Sequence, residues 1–250
     1  SGKSEISDIN KNAGKKAVAI SEETFEIIET AIQASVKTDG AFDITIGPEI
    51  SLWDFHKKIK PEDRAIKQKL QLVNYKALML DKNSRSVYLK KSGMLIDLGA
   101  IAKGYAADKA AEAMKKNGIK SGLVAVAGDI KAFGLKPDGK PWKVGIRNPR
   151  QKTRDDEIMA TMELTDMAIS TSGDYERYFI IKGKRYHHIL DPKTGYPADS
   201  CQSVSVIAKD GAITDPFSTG IFVLGHERGI KLLEEMEIDG IIVDKDGKIH

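Results

Sequence analysis

The sequence predicts an α+β fold. Segments with strand character pair across short turns, at 76–80 with 86–90 and at 177–181 with 185–189. Stretches with apolar residues at helical spacing lie between them. The strands do not alternate with helices in the regular series that a parallel sheet needs. The 250 residues fit one large domain or two small ones. Without an internal repeat, a low-complexity tract or a linker, one domain over 1–250 is expected.

Residues 3–13 are polar and end in Asn12-Ala13-Gly14, a stop signal, and Val18-Ala19-Ile20 is a short apolar run. Ser21 can cap the free N–H groups of a helix start, and Glu22 and Glu23 suit its dipole. Phe25, Ile28, Ala31, Ile32 and Ser35 then predict a helix over 22–37, ended by Thr38-Asp39-Gly40. A second, charged helix is expected over 61–72, with Pro61 in its first turn. After the first hairpin, 94–98 predicts a strand. The span 105–116 predicts a helix with Ala106, Ala110, Ala113 and Met114 on one face. Strands are expected over 122–127, 142–146, 160–164 and 167–172. The second hairpin turns at Lys182-Gly183-Lys184, and 204–208 reads as a strand. Helices over 214–224 and 229–236, a strand over 240–243 and a turn at 244–247 complete the chain.

Composition excludes several classes. Lys and Arg number 39 against 36 Asp and Glu, a net charge of +3. A nucleic-acid binder working through a dense basic face usually needs a stronger bias. No apolar run approaches the roughly 20 residues of a membrane span. With Cys201 alone, neither an intrachain disulfide nor a cysteine zinc cluster can form. At 41% hydrophobic and 30% charged, the composition is that of a folded chain able to bury a core.

Four segments are denser in Gly, Asp, Thr and His than a scaffold needs. Asp39-Gly40-Ala41-Phe42-Asp43-Ile44-Thr45 carries two carboxylates, which also suit a turn and an edge strand. Asp97-Leu98-Gly99-Ala100-Ile101-Ala102-Lys103-Gly104-Tyr105 reads as a strand, a turn and a helix start. Backbone N–H groups and a lysine there suit phosphate, although the P-loop and GxGxxG spacings are absent. A surface lysine beside a structural glycine explains it as well.

His187-His188 precedes Asp191-Pro192 and Thr194-Gly195, a tight-loop signal. In an extended segment one histidine faces in and the other out. A histidine beside an anionic ligand can move a proton, and it can equally be structural. Asp215 and Thr219 sit four apart and share a helix face. Carboxylate and hydroxyl are hard ligands for Mg²⁺ or Ca²⁺, and either is also a helix cap. Residues 170–177 add hydroxyls and a glycine turn but lack the GxSxG and SxxK patterns of serine nucleophiles.

In order, these segments resemble the ApbE-type flavin transferases. The likeness starts at Ser4-Glu5-Ile6-Ser7 with Asn10, then Asp39 to Thr45, then Leu52-Trp53 with Phe55. Asp97 to Ala106 carries its most specific motif. Thr171 to Arg177, His188 to Pro192 with Thr194-Gly195-Tyr196-Pro197, and Asp215 with Ser218-Thr219 complete it. The resemblance implies a fold related to the T-fold class, with antiparallel sheet and packed helices. It implies FAD as substrate and Mg²⁺, or Ca²⁺ in its place, on the pyrophosphate. The reaction would move FMN from FAD to a threonine hydroxyl of an acceptor protein and release AMP.

Matched residue by residue, the implied metal ligands are the Ala100 carbonyl, the Asp215 carboxylate and the Thr219 hydroxyl. Implied FAD contacts are Ala41, Phe42, Asp43, Asp97, Lys103 and His188, with Lys103 and His188 as the catalytic pair. Ala127 stands where the family commonly has a second glycine, so its methyl group is expected to crowd a close backbone approach. Pro216 is expected in a first helical turn. The family also carries residues ahead of Ser4, including a strand, that this sequence does not contain. By the same resemblance the protein would sit in the periplasm or on the outer face of the inner membrane, as a lipoprotein. Two other activities use the same motifs: an Mg²⁺-dependent FAD pyrophosphatase giving FMN and AMP, and a non-catalytic FAD-binding module.

Overall fold

The computed structural model describes residues 4–150 and 158–250, so the Ser1-Gly2-Lys3 opening lies outside them. The chain forms two compact units, Ser1–Ala100 with Arg177–Ala198, and Ile101–Glu176 with Asp199–His250. The first contributes α1 (Glu5–Lys11), β1 (Val18–Ala19), α2 (Glu22–Lys37), α3 (Gly47–Ile50), α4 (Asp63–Leu70), β2 (Leu78–Asp81) and β3 (Ser86–Leu89). The second then adds α5 (Ala102–Lys116), β4 (Gly122–Val126), β5 (Asp129–Phe133), β6 (Trp142–Arg147), β7 (Ile158–Leu164) and β8 (Ala168–Gly173). The first returns with β9 (Tyr178–Ile181) and β10 (Lys184–His187). The second ends with β11 (Cys201–Ala208), α6 (Gly211–Leu224), α7 (His226–Met236) and β12 (Asp239–Asp244). The fold is α+β, as expected.

In the first unit, Ser21 caps α2 by accepting the Thr24 N–H at 3.3 Å, and Phe25, Ile28 and Ala31 are buried along its stripe. The helix α1 was not foreseen, because its own sequence offers little apolar surface. It is held by a Ser4 cap and by Glu5, whose carboxylate accepts from the Ser21 N–H at 2.7 Å and the Ser21 hydroxyl at 2.8 Å. The charged helix is shorter than the expected 61–72. Glu62 at its cap is extended, with φ −68° and ψ 142°, so Pro61 lies ahead of the first turn.

The expected strand over 94–98 does not form. Its backbone groups find single partners instead of a ladder. Leu95 makes one parallel bridge to Ile46, and the Asp97 N–H donates to the Ile44 carbonyl at 2.8 Å. The Asn10 side chain takes the remaining place. Its Oδ1 accepts the Ile96 N–H at 2.8 Å and its Nδ2 donates to the Ile96 carbonyl at 3.0 Å. Both expected hairpins form, β2 with β3 and β9 with β10. The second turns through Lys182 at φ 49° and Gly183 at φ 78°, the left-handed pair that a two-residue hairpin loop demands.

In the second unit, β12-β11-β8-β5-β4 form an antiparallel sheet, and β6 and β7 form a separate ribbon. All eight residues of β11, an inner strand of the sheet, are buried. β5 was missed because Lys131 interrupts its apolar pattern. That ammonium is itself nearly buried, bonded to the Lys209 carbonyl and 3.6 Å from Asp108. α5 starts at Ala102, three residues before the expected position. Its buried face is Gly104, Ala107 and Ala111, whereas Ala106 and Ala113, of the face singled out in the sequence, are exposed. α6 likewise starts earlier, at Gly211, so Pro216 sits inside the helix rather than in its first turn. Among the described residues, no helix is long and apolar enough to cross a membrane.

Candidate active site

The second unit gathers two buried carboxylates around one lysine. Lys103 projects from the first turn of α5, and its ammonium bonds the Asp129 carboxylate and donates to Asp215 Oδ1 at 3.2 Å. Asp129 opens β5 and Asp215 lies on α6. Asp215 Oδ2 also accepts the Gly104 N–H at 3.1 Å. That N–H is one of the free donors at the start of α5, whose cap residue Ile101 offers no side-chain acceptor. Asp215 therefore caps a helix other than its own.

The charges do not balance locally. Burial pushes the Asp129 carboxyl up to about 6, and repulsion from Asp215 adds to this against the pull of Lys103. Burial works against the Lys103 charge, but Asp215 and Asp129 outweigh it and hold the ammonium above its ordinary value. Two carboxylates sharing one cation leave room for further positive charge.

Hydroxyl groups line the same side of α6. Thr219, one turn beyond Asp215, has its Oγ1 3.0 Å from Ser172 Oγ, and Ser218 Oγ lies 2.9 Å from that same Ser172 oxygen. Ser170 Oγ is 2.7 Å from Thr214 Oγ1. The expectation that Asp215 and Thr219 share a helix face therefore holds. A buried carboxylate, a hydroxyl four residues on and a local deficit of positive charge fit a hard divalent ion such as Mg²⁺.

Ala41, Phe42, Asp43, Asp97, Ala100 and His188 lie in the first unit. Ala41, Phe42 and Asp43 are buried. Asp43 Oδ1 accepts from the N–H and hydroxyl of Thr45, each at 2.7 Å, and Oδ2 from the Tyr75 N–H at 2.8 Å. Burial outweighs these bonds and raises its carboxyl. Asp97 Oδ1 accepts the Gly99 N–H at 2.8 Å, closing the turn that leads to Ala100.

Only His187 lies in β10, and His188 sits at the bend that follows, so the pair is not one extended segment. His187 is buried. Its Nδ1 accepts the Ile189 N–H at 3.3 Å, which assigns the proton to Nε2, 2.7 Å from the Ala198 carbonyl. That bonding makes His187 the structural member of the pair. His188 is half-buried.

The Trp53 and Gly195 motifs meet within this unit, where Trp53 Nε1 donates to the Gly195 carbonyl at 3.2 Å. Trp53, Phe55, Phe179, Tyr186 and Tyr196 pack with ring centroids 5.5 to 6.5 Å apart.

Asp129 is the member that sequence reasoning did not select. Its signal was present, since Ala127-Gly128 precedes it as a turn. Ala127 has φ 47° and Gly128 φ 99°, the left-handed geometry of a two-residue loop. The methyl of Ala127 is exposed, and the left-handed backbone adds a conformational cost at this position. Asp174, in the hydroxyl-rich 170–177 segment, is engaged by Arg150 through two bonds of 2.7 Å.

The model of the ApbE family matches residues 1–242. The chain belongs to the ApbE family. An FAD:protein FMN transferase from Klebsiella pneumoniae is 37% identical over 98% of this chain and 77% of its own length. One of the same name from Vibrio cholerae is 33% identical over 97% of this chain and 73% of its own. Among solved structures, the ApbE protein of Thermotoga maritima aligns with a TM-score of 0.89 at 37% identity, over 98% of this chain and 80% of that one. The Pseudomonas stutzeri flavinyl transferase ApbE aligns at 0.86 and 32% identity, over 100% and 78%. The chain is an enzyme of this transferase family.

Proposed function

We propose that this enzyme transfers FMN from FAD to a threonine hydroxyl of an acceptor protein and releases AMP. The observation that carries the reading is Lys103 held between buried Asp129 and Asp215, with Thr219 one turn further along α6. Asp215 and Thr219 would hold Mg²⁺, or Ca²⁺ in its place, with the Ala100 carbonyl as the ligand that the resemblance adds. The bound ion would neutralise pyrophosphate charge as it shifts onto the departing AMP.

The chain's own groups do the rest. Lys103 supplies a fixed positive charge to the phosphates, and Asp129 orients that ammonium. Ser172 holds the Thr219 hydroxyl. The oxygen of the acceptor protein's threonine bonds to the phosphorus of the FMN half, and the bond from that phosphorus to the bridging oxygen breaks. AMP leaves with that oxygen, and His188 takes the threonine proton. Ala41, Phe42, Asp43 and Asp97 are the further FAD contacts in this reading.

Hydrolysis by water would use the same groups. Ser218 donates its hydroxyl to the Asp215 carbonyl at 2.8 Å and adds no carboxylate, and Asp129 is engaged by Lys103, which together favour one metal and transfer. Incubation with FAD, Mg²⁺ and a threonine-bearing acceptor is expected to give a flavin-labelled acceptor and AMP. FMN release without acceptor, faster than labelling with it, would reverse the assignment. FAD kept intact for hours would leave a binding module. The lipoprotein and periplasmic placement belongs to the same proposal, and fractionation of cells making the full-length protein tests it.

A further inference from the structure

The second unit carries a group of ligating side chains that the transfer reaction does not use. His226 opens α7, Asp244 closes β12, and His250 follows on an extended segment that bridges back to β12. One ligating atom from each lies within 4.8 Å of the others. We propose that His226, Asp244 and His250 bind a Zn²⁺ ion that clamps the start of α7 to the end of β12.

The donor set gives the chemistry. Two imidazoles and one carboxylate suit Zn²⁺ and its borderline neighbours, whereas Mg²⁺ prefers oxygen alone. The carboxylate is oriented as metal ligands usually are. Asp244 Oδ1 accepts the N–H groups of Asp246 and Lys248, each at 2.9 Å, which leaves Oδ2 for His250 Nε2 at 2.9 Å. Two ligand atoms on a tetrahedral zinc ion are about 3.3 Å apart. The hydrogen-bonded pair therefore needs to open only slightly for a metal to replace its shared proton.

His250 is fixed at the backbone as well. Its N–H donates to the Ile242 carbonyl at 2.9 Å, and its carbonyl accepts the Ile242 N–H at 3.1 Å. The His226 ring stacks on His250 with centroids 4.3 Å apart and planes 16° apart. It completes the site by turning out of that stack. His250 also lines an open depression with Glu234, Glu237 and Asp239, carboxylates that draw cations towards it.

The test uses the whole chain with Mg²⁺ saturating and Zn²⁺ titrated by calorimetry, followed by X-ray absorption at the zinc edge. One Zn²⁺ per chain with two imidazole ligands is expected, together with a raised melting temperature. His226→Gln and His250→Gln are each expected to weaken that binding by more than roughly 10-fold. Zinc bound without imidazole scattering, equal binding in wild type and both variants, or no zinc bound would overturn the proposal. The absorption spectrum of the wild type decides the matter even if a variant fails to fold. Flavin transfer does not enter the readout, so failure here leaves the transferase reading standing, and the reverse also holds.

Discussion

Gly104 of α5 and Gly211 of α6 meet backbone to backbone. A methyl group built on Gly211 would lie 2.5 Å from the Gly104 carbonyl oxygen, and one built on Gly104 would strike the Gly211 carbonyl. Each helix also caps the other. Asp108 of α5 accepts the N–H groups of Gly211 and Ala212, each at 2.9 Å, and Asp215 of α6 accepts that of Gly104. The crossing thus fixes Lys103 and Asp215 together. Gly104→Ala is expected to cost at least about 2 kcal/mol, since backbone cannot yield as a flexible side chain can. Urea denaturation of the variant beside wild type measures it.

Charge and capping at Asp215 are separable. Asp215→Asn keeps an oxygen for the Gly104 N–H but loses the carboxylate charge. It is expected to fold at near wild-type stability and to lose metal-dependent transfer. Asp215→Ala should lose the activity and also about 1 kcal/mol of stability with the cap. Labelling assays and melting curves on both variants check the distinction, and wild-type turnover in either would remove Asp215 from the metal site.

His188 is expected to act on the chemical step. His188→Ala should lower the rate of labelling far more than it weakens FAD binding. Single-turnover rates and an FAD titration read the two effects apart. A change confined to the binding constant would exclude the base role.

Glu49 predicts a pH dependence of stability. It has no exposed surface, and among the described residues neither carboxylate oxygen has a hydrogen-bond partner. Burial pushes its carboxyl up to about 7, with Lys69 pulling the other way. The folded state therefore holds this proton more firmly than the unfolded chain does. Its stability should be full below the ordinary carboxylate range, fall as pH rises towards 7, and level off above. Glu49→Gln should remove that slope and gain about 2 kcal/mol at pH 8. Denaturation midpoints at several pH values test this.

Ala127 pays for a left-handed backbone with φ 47° at an exposed position. Ala127→Gly is expected to relieve the strain, offset by the extra freedom of glycine in the unfolded chain. A net gain of about 0.5 kcal/mol should appear as a small rise in melting temperature.

Much of the fold could be read from the sequence where the cause was local. Ser21 marked the start of α2, and Lys182-Gly183 marked a hairpin turn, because capping and left-handed φ depend on neighbouring residues. The strand expected at 94–98 failed for the opposite reason. Its partner is the side chain of Asn10, 86 residues away. The starts of α5 and α6 failed together, since each receives its cap from the other helix. β5 was hidden because Lys131 looks solvent-facing until Asp108 and the Lys209 carbonyl are brought to it.

By itself the sequence determined the residue types of the site and their order along the chain, and that order sufficed to mark the ApbE family. Only the tertiary structure decided what the residues do for one another. It brought Lys103 to Asp215 across 112 residues, made Asp129 the second carboxylate on that lysine, and assigned the structural role to His187 rather than His188. Periodicity and turn chemistry are properties of near neighbours, whereas the charge balance of a buried site depends on which distant groups share its low-dielectric surroundings.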